Sequence, residues 1–286
     1  MGKTVSCMGD SGGQGEAVAE NRSAPSCPSV DAPRYALYFA PPEESALWRF
    51  GSAWLGYDAQ SGVETEMPDL PELSPESATQ WRAWTEKPRL YGFHATLKAP
   101  FCLAPDCDEE RLMAAVSALA AACHPFTVPP LVLARLGHFC ALVPSCQLGA
   151  QLADQVAALD DLAWRTVWDL DRFRAPLTPA DRARRRPAHL SPRQLAMLET
   201  YGYPYVGEEF RFHMTLTGTL EPEEADRAED VLRRAYARSG AAAPVPVVEL
   251  ALFHQPSPQA RFRLIRRFAL GSDESVSPSR KLVEPI

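Results

Sequence analysis

An α+β or mixed α/β fold made of two similar halves is predicted by three features of the chain. An order of elements occurs twice, strands alternate apolar and polar residues, and amphipathic helices lie between them. The first unit runs over residues 92–144 and the second over 210–268. Each opens on a strand carrying His-x-Thr, continues through a helix and closes on further strands. An internal duplication accounts for this order. Two lobes related by a pseudo-two-fold would bring their opening strands to a shared central cleft.

The elements follow in order. Tyr35-Ala-Leu-Tyr-Phe-Ala reads as a buried strand ended by Pro41-Pro42. Glu43 to Leu55 reads as a helix with Leu47, Phe50 and Trp54 on one face. Residues 56–76 are a Pro/Gly/Asp-rich loop, and a short helix around Trp81 and Trp84 follows. In the first unit Gly92–Phe101 is a strand, about Asp108 to Ala122 a helix, Pro125–Leu133 the next strand and His138–Pro144 the last. Gln147 to Leu170 reads as a helix with Leu152, Val156, Leu159 and Ala163 along one stripe, and Asp181 to Thr200 as a strongly basic helix or loop. The second unit has a strand over Phe210–Leu220, a helix from about Glu223 to Arg238, and strands within Val245–Phe253 and Arg261–Phe268.

The flanks differ in composition. Residues 1–30 are rich in Gly, Ser and small polar residues and are expected to be disordered; 31–270 form the folded body and 271–286 a flexible tail. Gly9-Asp10-Ser11-Gly12-Gly13 looks like the surroundings of a serine-protease nucleophile, but only eight residues precede it, where such a fold needs barrel strands carrying a His and an Asp. Met1-Gly2 with Ser6 fits a myristoylation pattern short enough to recur by chance.

Composition narrows the function. The chain has 286 residues, 46% hydrophobic and 23% charged, enough for a sizeable core. No membrane span or secretory signal is expected. A net charge of -7 argues against non-specific coating of nucleic acid, while a few local cations would still serve a small anionic substrate. Seven cysteines, an odd number without a C-x-x-C pair, fit a reducing cytoplasm. Cys102, Cys123 and Cys140 lie in or beside apolar stretches and read as free thiols. Neither a metal nor another cofactor is expected, because His and Cys do not form ligand spacings.

The chemistry concentrates in the repeated motif. Successive strand side chains point to opposite faces. Phe93, Ala95 and Leu97 therefore share an apolar face, and His94, Thr96 and Lys98 share the other. In the second copy Phe212, Met214 and Leu216 face the core, while Arg211, His213, Thr215 and Thr217 point away from it. A lone strand histidine is usually structural. Two imidazoles at matching places facing one cleft instead suit general acid–base work, one taking a proton from the attacking oxygen and the other supplying one to the leaving oxygen. Thr96 and Thr215 would hold the non-bridging phosphate oxygens, and Lys98 and Arg211 would add cations to the same face.

Tyr91-Gly-Phe-His94-Ala-Thr96-Leu-Lys98-Ala-Pro-Phe101 and Arg211-Phe-His213-Met-Thr215-Leu-Thr217-Gly218 resemble the paired motifs of the two-histidine (2H) phosphoesterase superfamily, with its RNA 2′,3′-cyclic phosphodiesterases and 2′-5′ RNA ligase-like proteins. The stretches Leu47-Trp-Arg-Phe-Gly-Ser-Ala-Trp-Leu-Gly, Leu190-Ser-Pro-Arg-Gln and Gly202-Tyr-Pro-Tyr more closely resemble an uncharacterised bacterial branch encoded near carbon–phosphorus lyase genes and associated with phosphonate metabolism. The resemblance spans nearly everything from Arg34 to Leu270. It implies a bilobal α+β fold, two antiparallel sheets around a central cleft with outer helices. It also implies His94 and His213 as acid and base, with Thr96 and Thr215 as phosphate ligands.

The expected activity is metal-independent hydrolysis of a phosphodiester on a small phosphorylated sugar or nucleotide, a cyclic diester above all. RNA end processing, with RNA as partner, and a non-catalytic module that binds a phosphorylated metabolite are the alternatives. Tyr38 would share the cleft and stack on a sugar or base, or pack as a core residue. The run Arg182, Arg184, Arg185, Arg186 reads as a solvated helix face, with a phosphate-binding lid as the other reading. His124, His138, His189 and His254 have no partner motif.

Overall fold

The chain enters the sheet at β1 (Arg34–Phe39), whose residues from Tyr35 onward are all buried. The computed structural model describes residues 32–271, apart from 67, 69–70, 72–76, 146–149 and 186–189 and the side chains of 150–155 and 184. The expectations for residues 1–30 and for the tail beyond 271 lie outside the described residues, as do the two short patterns near the N-terminus and Arg186.

Helix α1 (Ala46–Leu55) starts later than the prolines alone suggest, because the Ser45 side chain caps it by accepting from the Trp48 amide at 3.0 Å. It stops at Gly56, left-handed at φ 66°. A two-stranded ribbon of β2 (Tyr57–Asp58) and β3 (Val63–Glu64) leads to α2 (Ala78–Arg89), then β4 (Ala95–Phe101), α3 (Glu109–Ala121), β5 (Phe126–Val128), β6 (Leu131–Leu136) and β7 (Phe139–Pro144). Helix α4 (Ala150–Leu170) packs against β4 and α3. The basic stretch resolves into α5 (Pro179–Arg185) and α6 (Pro192–Tyr201), the latter opened by a reciprocal capping box between Ser191 and Gln194. Then come β8 (Met214–Thr215), α7 (Pro222–Arg238), β9 (Val245–Val247), β10 (Glu249–Gln255) and β11 (Arg263–Ala269). No helix among the described residues is long and apolar enough to cross a membrane.

Seven strands form an antiparallel sheet in the order β11-β10-β1-β4-β8-β7-β6, while β5 pairs with β9 apart from it. The two expected antiparallel sheets therefore meet edge to edge, through the single pair Ala95–Met214 between the motif strands. Each half mixes both units: β4 stands with the late hairpin β10–β11, and β8 with the earlier hairpin β6–β7. Helix α3 packs on β10 and β11, and α7 on β6 and β7.

The second motif strand is shorter than its residue pattern predicts. Only Met214 and Thr215 pair regularly with β7, because the amides of Leu216 and Thr217 both donate to the Cys140 carbonyl. The Thr217 hydroxyl meanwhile accepts from the Cys140 amide at 2.9 Å. Two residues facing one is a bulge, and it ends the ladder. The Gly218 amide turns away to the Trp84 carbonyl at 2.7 Å, and the Trp54 indole donates to the Leu216 carbonyl at 2.9 Å. The two long helical tryptophan segments thus position the second motif.

One face of the sheet carries the large core, with Tyr35, Leu37, Phe39, Phe93, Leu97, Phe212, Met214 and Leu216. The opposite face of β1 carries a smaller cluster, in which Ala36, Tyr38 and Ala40 meet Trp48, Tyr57, Phe253 and Phe262. Cys123 and Cys140 are free thiols and buried, and Cys102 is partly buried.

Candidate active site

Both motif histidines are oriented by the same device. The Nδ1 of His94 lies 2.8 Å from the Gly92 carbonyl, and the Nδ1 of His213 lies 2.8 Å from the Arg211 carbonyl. A carbonyl only accepts, so each Nδ1 carries the proton and each Nε2 is left for chemistry. For His94 the turn that places this carbonyl needs glycine. Gly92 has φ 76°, and a Cβ there would stand 2.5 Å from that of Ala59. The Nε2 of His94 lies 3.2 Å from the Thr96 hydroxyl.

A cavity of about 440 Å³ opens beside the motif strands. His94, Thr96, Thr215, Thr217 and Tyr38 line it. His213 is not among the lining residues; its imidazole lies 5.9 Å from the ring centroid of Phe139, which is. Tyr38 is fully buried and lies face to face with His94, at 3.8 Å between centroids. Phe253 closes on both rings, at 4.8 Å from Tyr38 and 6.2 Å from His94. Burial under these rings lowers the His94 pKa to about 4, against the support of the Gly92 hydrogen bond; the nearby His213 lowers it further. His94 is therefore neutral at ordinary pH.

Two expected substrate contacts are corrected. Lys98 does not reach the cavity. Opposite β1 the register slips between Tyr38–Thr96 and Leu37–Lys98, so a bulge turns Lys98 to the core side of the sheet. There it is 3% exposed and pairs with Asp171 at 3.0 Å. Burial brings the Lys98 pKa down to about 8, although Asp171 opposes the fall. Burial would raise the Asp171 carboxyl, but Arg174 and Lys98 outweigh it and hold the pKa below the usual value. Arg211 is exposed, and its guanidinium folds back on the carbonyls of Glu208 and Phe210. Its backbone carbonyl, not its charge, serves His213.

Other cations take the place of these two. Arg34, Lys87 and Arg185 line the cavity, and no Asp or Glu is among its described lining residues. Lys87, on the exposed side of α2, borders the second motif next to Gly218. Arg182 by contrast faces outward and pairs with Glu199. Tyr91 and Tyr203 complete the wall. Burial raises the pKa of Tyr38 well above its ordinary value and pushes Tyr203 up to about 12, so both phenols stay protonated and can donate to an anion. Arg34 was legible: it stands four residues before Tyr38, on the same face of a strand. Lys87, Arg185 and Tyr203 arrive from helices and a loop whose packing no local pattern announces. Among the described residues no cluster of three or more His, Cys, Asp or Glu could hold a metal ion.

A family model described as "Protein of unknown function (DUF1045)" matches residues 96–263, more than half of the chain. Two curated proteins, each called ribose 1,5-bisphosphate phosphokinase PhnN, are similar. That from Janthinobacterium sp. (strain Marseille) is 36% identical over 235 residues, 80% of this chain and 49% of its own length. That from Laribacter hongkongensis (strain HLHK9) is 39% identical over 233 residues, 82% of this chain and 51% of its own length. The chain thus spans about half the length of the curated relatives it matches. Among solved structures, E. coli LigT complexed with 3′-AMP is 14% identical with a TM-score of 0.33, covering 85% of this chain and 99% of LigT. A crystal structure described as a phosphoesterase is 17% identical with a TM-score of 0.31, covering 83% of this chain and 98% of that one. By the match over residues 96–263, the chain belongs to the DUF1045 family of proteins of unknown function.

Proposed function

We propose that the chain is a phosphodiesterase of the two-histidine type, acting by acid–base chemistry on a small, cyclic phosphodiester. The observation that carries this reading is the matched pair of carbonyl-locked imidazoles, His94 lining the cation-lined cavity and His213 near enough to act electrostatically on His94. The neutral Nε2 of His94 takes a proton from the attacking water as its oxygen bonds to phosphorus. His213, in its protonated form, passes a proton to the oxygen that leaves as the opposite P–O bond breaks. The hydroxyls of Thr96 and Thr215 donate to the non-bridging oxygens, and Lys87 offsets charge beside the second motif. The scheme requires no metal.

A phosphorylated ribose is the carrier we favour, because the curated relatives, matched over about half of their length, are named for a ribose bisphosphate. The resemblance to a branch associated with phosphonate metabolism supports the same choice. The test is a phosphorus NMR screen with EDTA present, covering 2′,3′-cyclic nucleotides, ribose cyclic phosphates and 2′-5′ dinucleotides. The His94→Ala/His213→Ala double variant is the blank. Turnover absent from the blank is expected. Turnover that appears only when EDTA is left out would point to a metal mechanism and overturn this reading; ligand-induced shifts without turnover would favour a binding module.

A further inference from the structure

We infer that the cavity holds a second anion subsite, built by Arg34 and Arg185 at the end away from the motif strands' junction, and that the substrate carries a terminal phosphate in addition to its reacting diester. The diester part of this statement rests on the reading above; the subsite does not.

The two arginines converge from unrelated parts of the chain. Arg34 and Tyr38 share one face of β1, four residues or roughly 13 Å apart along the strand. Tyr38 pairs with Thr96 of the first motif, whereas Tyr35, next to Arg34, pairs with Phe101 at the far end of β4. Arg185, the last residue of α5, is pinned at that same end: its guanidinium donates to the Pro100 and Gly202 carbonyls. Both arginines line the cavity together with Ala99 and Pro100, and both also line a small adjoining pocket. Asp181, in that adjoining pocket, accepts from the Thr178 hydroxyl and amide. Both guanidiniums also act electrostatically on the Tyr38 hydroxyl, which places them within range of the residue stacked on His94.

Arg34 is prepared for a ligand. Its Nε–H donates to Gln255 at 2.7 Å, and its guanidinium lies 5.6 Å from the Phe262 ring centroid. Its terminal NH2 groups have no hydrogen-bond partner among the described residues. An arginine held at Nε with its fork unspent matches a phosphate oxygen pair. Charge leads the same way. Arg34, Lys87 and Arg185 line the wall, and no Asp or Glu is among its described lining residues. A phosphomonoester, at about -1.5 to -2 near neutrality, is an anion such a wall favours. The volume of about 440 Å³ suits a small molecule.

The experiment compares a ribose cyclic phosphate with its 5-phosphorylated counterpart on the full chain. The terminal phosphate should raise kcat/KM at least about tenfold, the factor that one charge-assisted pair supplies. In Arg34→Gln and Arg185→Gln the ratio between the two substrates should fall toward one, with Arg34→Lys retaining part of it. Equal use of both substrates by the wild-type protein, or an unchanged ratio in folded variants, overturns the subsite and leaves the phosphodiesterase reading intact. A preference for an oligoribonucleotide over both sugars overturns it as well. If neither sugar is hydrolysed, binding of ribose 5-phosphate is measured by calorimetry. Binding that weakens in both glutamine variants upholds the subsite although the diesterase reading has failed; absent or arginine-independent binding ends both.

Discussion

The phenol ring of Tyr38 lies against the imidazole of His94, with centroids 3.8 Å apart and planes at 22°. An aromatic ring cannot solvate an imidazolium as water does, so the contact makes protonation of His94 costly while leaving its Nδ1–H bonded to Gly92. The stack thereby acts on the proton affinity of a group that the motif alone would leave near 6.5.

The pH profile should show this. The limb of kcat/KM that belongs to His94 is expected near pH 4 in the wild-type protein, and Tyr38→Leu should move it toward 6.5. Stability follows with a definite sign. The unfolded chain binds the proton at about 6.5 and the folded chain only at about 4, so stability falls as pH drops through that window. His94→Gln should lose less stability there than the wild-type protein, as read by urea unfolding at pH 7 and pH 4.5. An equal loss in both would falsify the burial argument.

Removal of either imidazole should cost about 10²- to 10⁴-fold in turnover, with circular dichroism and melting temperature near wild type. If His94 and His213 act on opposite oxygens of one phosphorus, as proposed, the double variant should be little worse than the poorer single one. Multiplicative losses would mean that the two act independently.

Lys98 separates the strand-alternation expectation from the bulged strand. Lys98→Ala leaves Asp171 paired with Arg174 and should destabilise the fold by about 1–3 kcal/mol, the cost of a lost charged hydrogen bond and its packing. The KM of the folded protein should hardly change. A large rise in KM without loss of stability would instead place the ammonium on the substrate.

Gly92→Ala tests the tautomer lock. The substitution forces an L-residue to φ 76° and brings a Cβ to 2.5 Å from Ala59. A stability loss of at least about 1–2 kcal/mol is expected. If the Gly92 carbonyl orients His94, kcat of the folded fraction must fall too. Stability loss with unchanged kcat would reduce Gly92 to a structural turn.

The sequence pattern reaches a definite depth. Period-two alternation places Phe93, Ala95, Leu97, Phe212, Met214 and Leu216 in the large core, although only Ala95, Leu97 and Met214 lie within regular strands. It fails at Lys98, one bulge further on, since a bulge is a tertiary accommodation between neighbours and leaves no mark in residue type. The same holds for the short β8, whose ladder is ended by the Cys140 carbonyl and Thr217. Arg185 lies in a basic run that looks like an ordinary solvated helix. Only the placement of α5 against Pro100 turns one of its arginines inward while Arg182 stays with Glu199. Nor does the repeated order of elements reveal which hairpin each motif strand will join.

That exchange of hairpins ties the ends of the chain into one cooperative unit. Phe253 of β10 and Phe262, just before β11, form part of the floor beneath Tyr38, although some two hundred residues separate them from it. A nascent chain that has already emitted both motifs still lacks the wall that desolvates the first one. Proton affinity at His94 is therefore set late in synthesis, and a truncation that spares every catalytic residue would still release an untuned site.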